Sequence, residues 1–310
     1  MFFFQLSKEN LSLAKYEVEK LLDVPLFKYT ENIFLSKDSF SIKLIPRLAF
    51  TRDVYQILDQ HKDFSKLNFQ KYIQKNYKLK YILPTTEKSD TKELSNNIFT
   101  SLKNPVVNLS SPKNTYIILK INSFWYLTKL IYTNQDDPFN RRAHLRKFNH
   151  PTSINPKYAK AMINLVSKKE FLDPFCGSGG LLIEGGLMKL KVNGSDISKK
   201  MIFQAKENLK QFKLNANLEV KDALNITKKH EAIVTDLPFG KNSFISQDSD
   251  KLVQQFLLNS QNITKNMVIG HLDSLNVKKL ISKTHWKKEK SFKIYVHKTM
   301  TREITILRLH

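Results

Sequence analysis

The segment Phe171-Leu172-Asp173-Pro174-Phe175-Cys176-Gly177-Ser178-Gly179-Gly180 constrains the fold of this 310-residue chain more than any other. An apolar run ends in Asp-Pro, passes through three glycines and opens a helix-like stretch. Glycine there lets the backbone take dihedrals that other residues avoid, and lets a ligand come close to the main chain. The N–H groups that start the following helix are available to a negative group. A dinucleotide-binding fingerprint would carry its third glycine at position 182, which is Leu, and has no Asp-Pro before the first. The loop therefore speaks against NAD.

The sequence around this loop alternates helix and strand. From Pro156 onward the patterning predicts helices at 157–166, 180–189, 199–212 and 249–263, and strands at 170–173, 192–196, 217–221, 232–236 and 267–271. Such alternation implies βαβ units and an α/β, doubly wound parallel sheet. Two closing strand-like runs, 292–297 and 303–309, are joined by a short turn and must pair antiparallel, because a parallel pair needs a long crossover.

Four carboxylates fall at the ends of the predicted strands. Asp173 ends the first. Asp196 ends the second, 23 residues later, at the usual offset for an acidic group that grips ribose hydroxyls. Asp222, followed by Ala223, ends the third and could accept from an adenine amine. Each alone is an ordinary helix-capping residue; in this order and spacing they describe an adenosine pocket at the edge where open α/β sheets bind ligands. The fourth lies in Thr235-Asp236-Leu237-Pro238-Phe239-Gly240-Lys241. A carboxylate, a rigid proline turn and an aromatic suit a flat base with an exocyclic amine. The carboxylate takes the amine hydrogen as a methyl arrives, and the ring stacks on the base.

The first 135 residues read as α+β. Leu11, Ala14, Val18, Leu21 and Leu22 recur at helical spacing. Further helices are expected at 52–58 and 92–102, and strands at 106–109, 116–121 and 124–132, the last two as a hairpin. Residues 136–155, with Pro138, Pro151 and a basic cluster, read as a linker between this region and a domain at 156–310. Lys and Arg exceed Asp and Glu by 23, an excess shared as +10 over residues 1–150 and +13 over 151–310. A polyanion spanning the chain is the expected partner. No apolar run approaches the roughly 18–20 residues that cross a bilayer, so no membrane is expected. The N-terminus lacks the features of a signal peptide. The single Cys176 permits no internal disulfide and no thiolate metal cluster, and reads as a packing residue. A cytoplasmic location and no metal are the expectation.

Residues 141–239 resemble the THUMP-domain tRNA guanine-N2 methyltransferases. The likeness rests on the basic segment, His150-Pro151, Pro156 with Ala159, the loop Asp173-Pro174-Phe175-Cys176-Gly177, Asp196, and Asp236-Leu237-Pro238-Phe239-Gly240. The archaeal-type branch acting on guanosine 10 of tRNA is the most similar. The resemblance implies a Rossmann-like S-adenosylmethionine-dependent methyltransferase domain with a C-terminal antiparallel strand. A THUMP-type RNA-binding region with a small ferredoxin-like extension would precede it. It also implies cofactor contacts from Asp173, Pro174, Phe175, Gly177, Gly179, Asp196, Ile197, Asp222, Ala223 and Pro151. Asp236, Pro238 and Phe239 would be catalytic, and Arg141, Arg142, Arg146, Lys147 and Lys241 would contact tRNA, in an enzyme expected to be a monomer. Many members acting at guanosine 10 carry Pro and Tyr where Leu237 and Phe239 stand, and relatives acting at guanosine 6 are similar here too. Guanosine 6 remains an alternative, as do an adenine-N6 methyltransferase and a non-catalytic RNA-binding protein that has kept the fold.

Overall fold

The computed structural model describes residues 1–84, 90–149, 153–238, 247–297 and 300–309. The chain forms two compact units: Met1–Pro46 with Thr51–Gln135, and Arg47–Phe50 with Asp136–His310.

The first unit contains β1 (Phe2–Leu6), α1 (Leu11–Leu22), β2 (Phe27–Lys28), β3 (Ile33–Ser36), β4 (Thr51–His61), α2 (Phe69–Tyr72), β5 (Tyr77–Ile82), α3 (Thr91–Ser101), β6 (Asn114–Ile121) and β7 (Phe124–Thr133). Its sheet runs β2-β3-β1-β4-β7-β6-β5. Helix α1 starts where the Asn10 side chain accepts from the Leu13 amide, and it buries Leu13, Ala14, Val18, Leu21 and Leu22. The β6–β7 hairpin turns on Asn122 and Ser123, both at positive φ, as a two-residue turn matched to strand twist requires. The helix expected at 52–58 is instead the middle of β4, between β1 and β7. Residues 106–109 form no strand, and Val107 makes only an isolated bridge to Tyr77.

The second unit contains α4 (Pro156–Asn164), β8 (Glu170–Asp173), α5 (Gly180–Leu187), β9 (Lys191–Asp196), α6 (Lys199–Gln211), β10 (Asn217–Val220), β11 (Ile233–Asp236), α7 (Gln247–Ser260), β12 (Asn266–Leu272), α8 (Val277–Ile281), β13 (Lys287–His297) and β14 (Met300–Arg308). The sheet order is β10-β9-β8-β11-β12-β14-β13. Strands β8 to β12 pair in parallel, and β14 enters antiparallel between β12 and β13. This is a Rossmann-like arrangement closed by an antiparallel terminal hairpin. The core under β11 and β12 gathers Ile233, Leu237, Phe256, Leu257, Met267, Ile269, Trp286 and Leu307. The Trp286 indole is satisfied there by the Leu257 carbonyl at 2.9 Å. Among the described residues no helix is long and apolar enough to cross a membrane.

The segment read as a linker is not a free connection. Its described residues from Asp136 onward pack within the second unit. Asp136 joins Arg141 at 2.8 Å and Lys160 of α4 at 2.8 Å.

Candidate active site

The carboxyl edge of the second sheet collects the predicted acids. Asp173, Asp196 and Asp236 are the last residues of β8, β9 and β11, and Asp222 follows the end of β10. Asp173 is buried, and its Oδ1 accepts from the Thr235 hydroxyl at 2.6 Å and the Phe175 amide at 3.2 Å. Burial, with smaller repulsion from Asp236 and Asp196, pushes its carboxyl up to about 8 against the pull of those two donors. Asp173 therefore ties β11 to β8 and fixes the first turn of the glycine loop.

Asp196 organises the rest of the loop. Its Oδ2 accepts from the Gly177 amide at 3.0 Å and its Oδ1 from the Ser198 amide at 2.9 Å. Gly177 lies at φ +50, and a β-carbon placed on it would meet nothing within 4 Å. Gly179 lies at φ +86 against Ala205, whose β-carbon would be 3.2 Å from a side chain there. One glycine thus opens a cradle, and the other permits close packing of α6 beneath it. Ile197, beside Asp196, is 73% exposed, an apolar side chain left uncovered at this edge. Asp222 Oδ1 accepts from the Leu224 amide at 2.8 Å, and Ala223 is buried behind it. Pro174 is buried, while Phe175 packs edge-on against Phe256 at 5.1 Å, so its ring serves the core as much as the loop. Cys176 is buried, which pushes its thiol up and leaves it a packing residue.

Asp236 lies opposite Gly270 of β12, and the Leu237 amide donates to the Gly270 carbonyl at 2.8 Å. Leu237 is buried in the core and Pro238 is half-buried. Asp236 Oδ2 accepts from Nη1 of Arg302, a buried residue of β14. Burial holds the Asp236 carboxyl above the ordinary carboxylate range, and Arg302 offsets part of that rise. Arg302 is a residue of this edge that the sequence did not point to. Its strand gives no signal, since Thr301, Glu303, Thr305 and Arg308 are polar too, and its partner lies 66 positions away. Phe239, Lys241 and Pro151 lie outside the described residues.

The basic cluster divides. Arg141 grips Glu184 of α5 with two hydrogen bonds, at 2.8 and 3.0 Å, as well as Asp136. Arg146 is buried, and its Nε donates to the Arg141 carbonyl at 2.9 Å. Arg141 thus ties the segment to α5, while the Arg146 bond stays within the segment. Arg142, stacked on Phe139, and Lys147, beside Glu207, are exposed.

Residues 143–302 match the family described as RMKL-like, methyltransferase domain. A tRNA (guanine(10)-N2)-dimethyltransferase from Methanothermobacter thermautotrophicus is 30% identical over 284 residues, spanning 84% of this chain and 83% of the relative. An enzyme of the same name from Pyrococcus abyssi is 37% identical over 158 residues, 49% of this chain and 48% of the other. Among solved structures, TrmN from Thermus thermophilus aligns over 100% of this chain and 99% of its own with a TM-score of 0.52 at 13% identity, a likeness of fold.

Proposed function

This chain belongs to the RMKL-like methyltransferase-domain family, and we propose that it methylates the exocyclic N2 amine of guanosine in tRNA with S-adenosylmethionine. Position 10 and the dimethylated product follow the names of the relatives it matches over most of its length. The observation that carries the reading is Asp236, held at the end of β11 on the same sheet edge as Asp173, Asp196 and Asp222. A dinucleotide enzyme has no use for a carboxylate followed by a proline turn at that place.

The edge fits the cofactor. The main chain at Gly177 faces open space, since a β-carbon there would meet nothing within 4 Å, so a ligand can approach the backbone at that point. Asp196 and Asp222 each spend carboxylate oxygens on backbone amides and keep acceptor capacity, since a carboxylate offers about four lone-pair sites. Asp196 is assigned the ribose hydroxyls, Asp222 and Ala223 the adenine, and Asp173 with Gly177 and Gly179 the methionine portion. S-adenosylmethionine supplies a methyl on a sulfonium, an electrophile that needs no metal. The protein's task lies at the amine. Its lone pair is delocalised into the guanine ring, and as nitrogen gains a carbon it must shed a proton. A carboxylate at Asp236 accepts the N–H hydrogen bond, raises electron density on nitrogen and receives that proton. Pro238 sets the turn and Phe239 stacks on the base.

The net charge of +23 supplies affinity for RNA without sequence information. Arg142, Lys147 and Lys241 are assigned to phosphates, and the first unit to the THUMP-type grip on tRNA. A cytoplasmic monomer is the proposed form. Digesting methylated tRNA to nucleosides and identifying the product by mass tests the reading: N2-methylated guanosine supports it, and N6-methyladenosine or no product overturns it.

A further inference from the structure

Asp236 is held from the far side of its sheet neighbour. Its own strand ends at that residue, and β12 beside it offers Gly270, which has no side chain to hold a carboxylate. The next strand, β14, runs antiparallel and brings Arg302 opposite Leu272, two residues beyond Gly270. From there Arg302 reaches back across β12, and Nη1 meets Asp236 Oδ2. The Arg302 side chain is 6% exposed and that of Asp236 17% exposed, so the pair is shielded from solvent where charge–charge attraction is strong. The other carboxylate oxygen, Oδ1, is buried with no hydrogen-bond partner among the described residues. The antiparallel insertion of β14 thereby acquires a chemical use, because a parallel strand ending at the same edge would not bring residue 302 back to β11.

We propose that Arg302 is the positioning residue for methyl transfer, gripping Oδ2 so that Asp236 meets the substrate amine as a fixed, negatively charged acceptor. This rests on the guanosine-N2 reading above. A carboxyl buried without a cation protonates, and a protonated Asp236 could not take up the amine's proton. Among the described residues, the groups facing Asp236 are Arg302 from β14 and Asp173, an anion or neutral acid, from β8; β12 presents Gly270 and α4 the apolar Met162. Arg302 is therefore the cation on which the charge of Asp236 depends. With Arg302 removed, burial acts unopposed, and Asp236 keeps its proton to higher pH.

The test compares wild type, Arg302→Gln and Arg302→Lys. In Arg302→Gln the acid limb of the kcat–pH profile moves upward by about 1–3 pH units. Activity near neutral pH falls roughly tenfold for each unit by which the carboxyl stays protonated, and returns as pH rises. KM for tRNA and calorimetric binding of S-adenosylhomocysteine stay near wild type, and Arg302→Lys restores most of the lost rate. A uniform loss at every pH, or wild-type kcat at neutral pH, overturns the proposal. Should Arg302→Gln not fold, Arg302→Met takes its place and is read the same way: an acid limb moved upward at unchanged KM supports the proposal, and an unmoved limb refutes it. A carbon-13 titration of the Asp236 carboxyl in wild type and variant separates this proposal from the function it rests on. Its midpoint rises in the variant whatever the enzyme's true substrate, and an unchanged midpoint refutes the role of Arg302 even if tRNA is methylated.

Discussion

A β-carbon placed on Gly270 would stand 2.5 Å from Oδ1 of Asp236, its strand neighbour, and 3.4 Å from the end of the Met162 side chain. No real β-carbon tolerates the first distance, so the carboxylate occupies the space that glycine leaves. Gly270→Ala should push Asp236 out of line with Arg302. Overpacking of this kind costs about 1–3 kcal/mol of stability. The expected result is a folded enzyme with strongly reduced kcat and nearly unchanged affinity for S-adenosylhomocysteine, read by methyl transfer and calorimetry. Wild-type turnover in the variant would show that the carboxylate needs no such fixed seat.

Asp173 makes stability depend on pH. Its carboxyl is pushed up to about 8 in the folded chain, against roughly 3.9 for an exposed Asp. A group raised on folding stabilises most when protonated: its contribution is full below the unfolded value and is lost as pH rises through the folded one. Asp173→Asn keeps an oxygen to accept from Thr235 and Phe175 but does not titrate. The melting temperature of wild type should therefore fall relative to the variant between about pH 4 and 8. A constant difference across that window would contradict the assignment.

The basic segment should separate into structural and RNA-facing arginines. Arg141→Ala leaves Glu184, whose side chain is 1% exposed, without its guanidinium. Breaking one side of such a buried pair costs about 3–5 kcal/mol, visible in denaturant unfolding. Arg142 is exposed, and Arg142→Ala should leave stability nearly unchanged while lowering the salt slope of tRNA binding by roughly 0.7–0.9. An unchanged slope would make Arg142 a solvated residue.

Much of the second unit was legible because local chemistry and topology agree there. Each apolar strand after Pro156 ends in an Asp or a turn, and the glycine loop announces its own dihedrals. Arg302 was not legible, because its meaning depends on β14 folding back beside β12, a relation that no local pattern encodes. The same holds for Arg141 and Arg146. In sequence they look like phosphate ligands, and only the position of Glu184 on α5 shows that Arg141 is already paired. Strand β4 was missed for a different reason. Register shifts at Val54/Tyr55 and Ile57/Asp59 break its two-residue alternation, and the buried neighbours Val54 and Tyr55 imitate a helical stripe.

The most direct test of the account is methyl transfer to a tRNA transcript by Asp236→Ala, run beside binding of the same tRNA and of S-adenosylhomocysteine. If Asp236 is the acceptor for the guanosine amine, the variant binds both ligands and transfers no methyl to N2. Transfer at the wild-type rate by Asp236→Ala would contradict the account.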